Sequence, residues 1–151
     1  MGSVENNVET IKIKYHDPDM PKLTYVDGKS DFIDLRSAEE VHMSKGDFKI
    51  INLGISLKLP EGYEMVIIPR SSTFKKYGVI MANSQGLIDE SYCSDLDVIG
   101  FPALAMKETV IHKYDRICQF RIQKQQPAFD IRYVDHLGNE DRGGFGSTGS
   151  R

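Results

Sequence analysis

The sequence lacks most of the features that would mark a membrane, metal-centred or secreted protein. No apolar run approaches the ~20 residues of a membrane-spanning helix, and the first ten residues, MGSVENNVET, hold no apolar core of the kind a secretory signal needs. A cytoplasmic location is therefore expected, with no membrane partner. Two cysteines, Cys93 and Cys118, have neither the number nor the spacing of a disulfide framework or a zinc site, so both are read as reduced and packed. The four histidines, His16, His42, His112 and His136, are scattered without an HxH or HExxH pattern, so nothing points to zinc chemistry. Basic residues are in no excess either. With 19 Lys and Arg against 22 Asp and Glu, the net charge of -3 offers no general attraction to nucleic acid, and any anion site must be local.

What is present is an ordinary globular composition, 40% hydrophobic and 27% charged over 151 residues. One domain of this size buries ~70% of the surface its unfolded chain exposes. Apolar residues recur in short segments at strand-like intervals, bounded by Gly, Pro, Asn and Asp. The expected strands are 11–15, 48–52, 55–59, 63–68, 79–82, 97–101, 110–112, 116–122 and 129–134, with breakers at 58–62, 83–86 and 100–102. Only 71–77 reads as a short helix, with Ser71, Ser72 and Thr73 available as caps. Many short strands with frequent turns point to an all-β sandwich or barrel. From Asp141 the chain runs DRGGFGSTGSR, a tail too poor in apolar residues to fold by itself.

Three sets of residues carry the ingredients of chemistry. Arg142, the glycines after it, and Ser147 and Thr148 suit a loop closing over phosphate, because glycine lets backbone N–H groups approach an anion and Arg adds a fork of donors; a frayed tail has the same composition. Pro69-Arg70-Ser71-Ser72-Thr73 follows an apolar strand, where an Arg and three hydroxyls either cup phosphate oxygens or cap a turn. Residues 83–92, NSQGLIDESY, set Asp89 behind a tight Gly-Leu-Ile strand or hairpin edge, as a general base or as a solvated turn acid.

Taken together, these sets resemble the trimeric dUTPases, whose five ordered motifs all find counterparts between residues 31 and 149. The first is DFIDLRSA at 31–38, with Asp34 and Leu35 in register and Phe32-Ile33 where the family has a small pair. The second, Pro69-Arg70-Ser71-Ser72, matches fully. The third, Asn83-x-x-Gly86-Leu87-Ile88-Asp89-x-x-Tyr92, is the most specific. The fourth is DRICQ at 115–119, with Cys118 where Ala is common, and the fifth is RGGFGSTG at 142–149, two residues shorter than usual between Arg-Gly and Gly-Phe.

The resemblance implies a jelly-roll-like (β-clip) dUTPase fold: a single β domain over 1–136 and a flexible glycine-rich C-terminal arm over 137–151 that closes over a neighbouring active site. It further implies a homotrimer with sites at subunit interfaces, and hydrolysis of dUTP to dUMP and pyrophosphate with Mg2+, limiting uracil incorporation into DNA and supplying dUMP. On that resemblance Asp89 is the catalytic residue that activates the water attacking the α-phosphorus. Asn83, Gly86, Leu87 and Ile88 form the uracil and sugar pocket, and Tyr92 packs beneath the deoxyribose. Arg70, Ser71, Ser72 and Gln119 hold phosphates. In the arm, Phe145 stacks over uracil, while Arg142, Gly146, Ser147 and Thr148 reach the outer phosphates. Mg2+ rides on the triphosphate, with Asp34 touching its shell through water. Two alternatives use the same fold. A dCTP deaminase needs a glutamate where this chain has Ile99 and carries Trp at the place of Tyr92. A regulatory module would use the fold to hold a protein partner.

Overall fold

The computed structural model describes residues 8–24 and 31–143. Eleven strands and one short helix are assigned among them: β1 Lys12–Tyr15, β2 Ile33–Arg36, β3 Val41–Met43, β4 Phe48–Asn52, β5 Ile55–Lys58, β6 Tyr63–Pro69, α1 Thr73–Tyr77, β7 Val79–Met81, β8 Gly86–Ile88, β9 Gly100–Ala105, β10 Thr109–Ile111 and β11 Arg116–Lys124. They form antiparallel sheets in the orders β2-β11-β6-β8 and β4-β9-β7, with the pairs β1-β5 and β10-β3 beside them. The expected all-β, jelly-roll-like architecture is what is found.

Burial alternates along β1, β3, β7, β9 and β10. Along β9 the pattern is intermediate, buried in strict turn, so Phe101, Ala103 and Ala105 enter the core with Ile51 of β4 and Val79 and Met81 of β7. On the other sheet Leu35, Met65, Ile67, Ile117 and Phe120 are buried from the same interior. Fully burying an aliphatic side chain contributes ~1.5–3 kcal/mol, so these interlocked faces, not local propensity, hold the short strands.

Several expectations need correction. The strand expected over 97–101 is displaced to β9, because Ser94–Asp97 form a turn closed by Asp97 N–H to the Ser94 carbonyl and the strand starts only at Gly100. Pro102, read as a breaker, lies inside β9. Its carbonyl accepts from Ala82 N–H just past the end of β7, so the missing donor falls where the ladder has already stopped. Strands β2 and β3 were not expected, since Asp34, Arg36 and His42 interrupt their apolar runs. The segment 129–134 is no strand within the chain. Phe129, Ile131 and Tyr133 are 67%, 74% and 96% exposed, and among the described residues no backbone–backbone bond lies beyond Gln125 N–H to Gly62.

Candidate active site

Strand β11 is the frame of the phosphate-type cluster. It pairs with β2 on one side and β6 on the other, so Gln119 stands opposite Asp34 and Ile68 at once. Motifs far apart in sequence thereby meet at one sheet end. The Asp34 carboxylate takes Arg70 Nε at 3.1 Å on Oδ1 and Arg116 Nη1 at 3.4 Å on Oδ2. Arg70 Nη1 also donates to the Arg116 carbonyl at 3.3 Å, and Gln119 Nε2 donates to the Pro69 carbonyl at 3.2 Å. Asp34 and Arg70 are both less than a third exposed, so their pairing is better shielded than an ordinary surface contact.

The turn after β6 sets where Arg70 stands. Thr73 is buried; its hydroxyl accepts from Arg70 N–H at 2.9 Å and donates to the Ile117 carbonyl at 2.8 Å, bolting the turn to β11. This corrects the capping expected from Ser71 and Ser72: Ser72 occupies the N-cap position of α1 without a side-chain cap bond. Ser71 is exposed and Ser72 half-buried, so both hydroxyls remain available beside Arg70. The helix ends at Gly78, whose φ of 67 allows its N–H to reach the Phe74 carbonyl.

The Asp89 hairpin is built differently. Gly86 is buried in β8 opposite Ile67, where a Cβ would stand in ordinary van der Waals contact with the Met81 and Ile67 side chains. Asn83 and Leu87 are exposed and Ile88 half-buried, and Ser84 turns the chain with φ 59. Asp89 is exposed and accepts Ser91 N–H at 2.7 Å and the Ser91 hydroxyl at 2.5 Å, both on Oδ1. These bonds, the hydroxyl's first, hold its pKa below the ordinary aspartate value. Tyr92 follows, its hydroxyl donating to the Val98 carbonyl at 2.8 Å. Ile99 is 1% exposed among core side chains, so no acid stands at the position a deaminase requires.

The sequence-predicted residues therefore fall into two groups. Asp34, Arg70, Ser71, Ser72 and Gln119 come together; Asn83, Gly86, Leu87, Ile88, Asp89 and Tyr92 form a second cluster on β8 and its flanks. Ile88 pairs with Met65, at the far end of β6 from Arg70, a separation of roughly 16 Å at ~3.3 Å per residue. Arg142 is exposed, while Phe145, Gly146, Ser147 and Thr148 lie outside the described residues. Sequence reasoning named Thr73 as a phosphate hydroxyl or a cap, and missed Ser91 and Arg116 as supporting groups. An Asp-x-Ser spacing signals an Asx turn for Ser91, whereas Arg116 follows only from strand register.

A metal cage is not what these residues offer. Among the described residues no three His, Cys, Asp or Glu side chains gather to hold an ion.

The family model for dUTPase matches residues 24–149. Among curated proteins, the chain is 54% identical over 141 residues to the SPbeta prophage-derived deoxyuridine 5'-triphosphate nucleotidohydrolase YosS of Bacillus subtilis (strain 168), covering 93% of this chain and 99% of that one. It is 35% identical to the deoxyuridine 5'-triphosphate nucleotidohydrolase of Thermobifida fusca (strain YX), covering 92% and 78%. Among solved structures, a mutant dUTPase from phage phi11 of Staphylococcus aureus, described as revealing the coordination of a structural Mg(II) ion, superposes with a TM-score of 0.72 at 15% identity, covering 85% of this chain and 98% of that one. The strands, the two residue clusters and these likenesses place the chain in the dUTPase family.

Proposed function

We propose that this dUTP diphosphatase works through a site shared between copies of the chain, with Asp89 of one copy serving a triphosphate held by Arg70, Ser71, Ser72 and Gln119 of another. The carrying observation is the separation of the two clusters along β6. A catalytic base must come within ~2.6–3.2 Å of the proton it takes, or reach it through one water. Roughly 16 Å along one strand is far outside that reach. The unpaired segment after β11 supports the same reading: the alternately placed Phe129, Ile131 and Tyr133, with free backbone groups, suit addition to a neighbouring copy. The assembly proposed is a homotrimer.

In this reading the Asp89 Oδ1 is occupied by Ser91, leaving Oδ2 to orient and deprotonate a water aimed at the α-phosphorus. The water oxygen bonds to phosphorus, the bond to the bridging oxygen breaks, and dUMP and pyrophosphate leave. An aspartate is a weak base at neutral pH, so positioning supplies much of the effect. Asn83 and the Gly86–Ile88 strand offer main-chain groups to uracil, and Tyr92, braced by the Val98 carbonyl, packs beneath the deoxyribose. The arm from 137 onward, with Arg142, Phe145, Gly146, Ser147 and Thr148, closes over the nucleotide and excludes water. Mg2+ bound to the phosphates neutralises their charge. Asp34, with both oxygens already paired to arginines, reaches it through water. A cytoplasmic enzyme that supplies dUMP and keeps uracil out of DNA completes the proposal.

The test is pyrophosphate release from dUTP, dTTP, dCTP and UTP in Mg2+, beside a native mass measurement. Turnover of dUTP far above the others, by three copies, is expected. Equal turnover of UTP would remove Tyr92 from its role, and an active monomer would overturn the shared site.

A further inference from the structure

Beside the Asp34–Arg70 pair lies a small cleft lined by Lys22, Leu23, Thr24, Asp34, Arg36 and Arg116. Three cations face it and one carboxylate, and Arg70 adds a fourth positive group through Asp34. In a chain of net charge -3 such a concentration stands out. Like charges this close repel in the empty cleft, and an anion between them would relieve that repulsion.

Of the three cations lining the cleft, Arg116 is paired to Asp34, which leaves Lys22 and Arg36, and both are pre-set. Asp34 and Arg36 are two apart on β2, so their side chains leave the same face of the strand while Leu35 enters the core. Arg36 Nη1 donates to the Tyr114 carbonyl at 3.0 Å. Tyr114 is itself held, with a φ of 74, by its N–H to the Ser37 carbonyl and its hydroxyl to Asp17 Oδ2. One edge of the guanidinium is thus anchored to a rigid turn, which orients the rest of its donor fork. Lys22 Nζ sits 3.9 Å from the centre of the Tyr15 ring, and the Tyr15 hydroxyl accepts Leu23 N–H at 2.7 Å, fixing the segment that carries it. Among the described residues neither Lys22 nor Arg36 has a carboxylate partner.

We propose that Lys22 and Arg36 form a subsite for the outermost phosphate of the substrate, which becomes the far end of the pyrophosphate product. The inference rests on the reading of the chain as a dUTP hydrolase. It gives the cleft a chemical class of ligand, the terminal phosphoryl group of a polyphosphate, and it gives this chain cations on the folded body where its short arm carries Arg142. A forked guanidinium and a point-charge ammonium on adjoining walls suit a phosphoryl group bearing several oxygens.

Calorimetric titration of inorganic pyrophosphate and, separately, dUMP in Mg2+ tests it on the full chain, using wild type, Lys22→Gln, Arg36→Gln and Arg36→Lys. Pyrophosphate affinity is expected to fall about tenfold in Lys22→Gln and at least as far in Arg36→Gln, with dUMP affinity unchanged and partial recovery in Arg36→Lys. Unchanged pyrophosphate affinity in both glutamine variants overturns the proposal, as does an equal loss for dUMP. Should Arg36→Gln fail to fold, the exposed Lys22 decides alone. Wild-type pyrophosphate release from dUTP is measured alongside: its absence would sink the hydrolase reading, whereas its presence with unaltered pyrophosphate binding in the variants would sink this inference only.

Discussion

Asp34, Arg70 and Gln119 are positioned by three adjacent strands and by cross-links between residues distant in sequence, whereas Asp89 is positioned by a residue two places along its own chain. The first cluster is partly buried and each of its charged groups is paired; the second is exposed. On the proposed reading, the difference follows from what each has to do. A phosphate cradle needs donors fixed before the ligand arrives, since prearranged dipoles and charges cost no reorganisation during reaction. A base that serves a ligand held by another copy has to project from the surface.

The largest effect expected is at Asp89 itself. Asp89→Asn removes the base while keeping size, and should lower turnover by about 10²–10⁴-fold with nucleotide binding nearly intact, read by pyrophosphate release and calorimetry. A variant that turns over normally would place the base elsewhere and dissolve the contrast between the clusters.

Arg70→Gln attacks the other side. It removes the charge-assisted contact to Asp34 and the proposed contact to phosphate, so substrate affinity should drop by about tenfold to a hundredfold. Mixing it with Asp89→Asn makes the sharper experiment. In randomly mixed trimers about a quarter of interfaces join an intact Asp89 to an intact Arg70, so refolding an equimolar mixture should restore activity toward a quarter of wild type. If both residues serve from one chain, the mixture shows no more than the average of the two variants' own activities.

The same contrast explains what was legible in advance. Strands β4, β5 and β6 follow from their short apolar runs, part of which each buries in the core: Ile51 in β4, Ile55 and Leu57 in β5, Met65 and Ile67 in β6. Strand β2 does not, because alternate positions carry Asp34 and Arg36, and those polar residues are what the cradle needs. Asp89 and the glycine hairpin of the local cluster were singled out within ten residues, while Ser91, whose Asp-x-Ser spacing carries a signal, was passed over. The phosphate cluster is written in strand register: Gln119 meets Asp34 and Pro69 only once β11 lies between β2 and β6, with a register shift between Arg116 and Cys118. The motifs of a family name those residues without that geometry. The segment 129–134 shows the converse case, a strand-like pattern that makes no backbone–backbone bond among the described residues.

A double change of Ile131 and Tyr133 to Asp tests that segment. Each places a charge where an apolar side chain is expected to meet another copy, so the native mass should fall to that of one chain and turnover with it. Retained assembly would leave Phe129, Ile131 and Tyr133 as surface residues and would detach the shared site from this strand.

The smallest effect expected is at Ser91, and it reads the local cluster directly. Its hydroxyl and N–H both donate to Asp89 Oδ1, and the hydroxyl is the largest cause of the lowered pKa. A carboxylate held below its ordinary value acts as a base above its pKa, and the activity it supports is lost as pH falls through that lowered value. In Ser91→Ala the backbone N–H remains but the hydroxyl is gone, so the pKa should rise toward the ordinary aspartate value and the acid limb of kcat/KM should move to higher pH. At neutral pH Asp89 stays ionised in both proteins, so turnover there should change by no more than about tenfold, the effect of one neutral hydrogen bond on its aim. Ser91→Thr keeps the hydroxyl and should return the acid limb to its original place. An acid limb that ignores both substitutions would mean that Asp89 is not the titrating group.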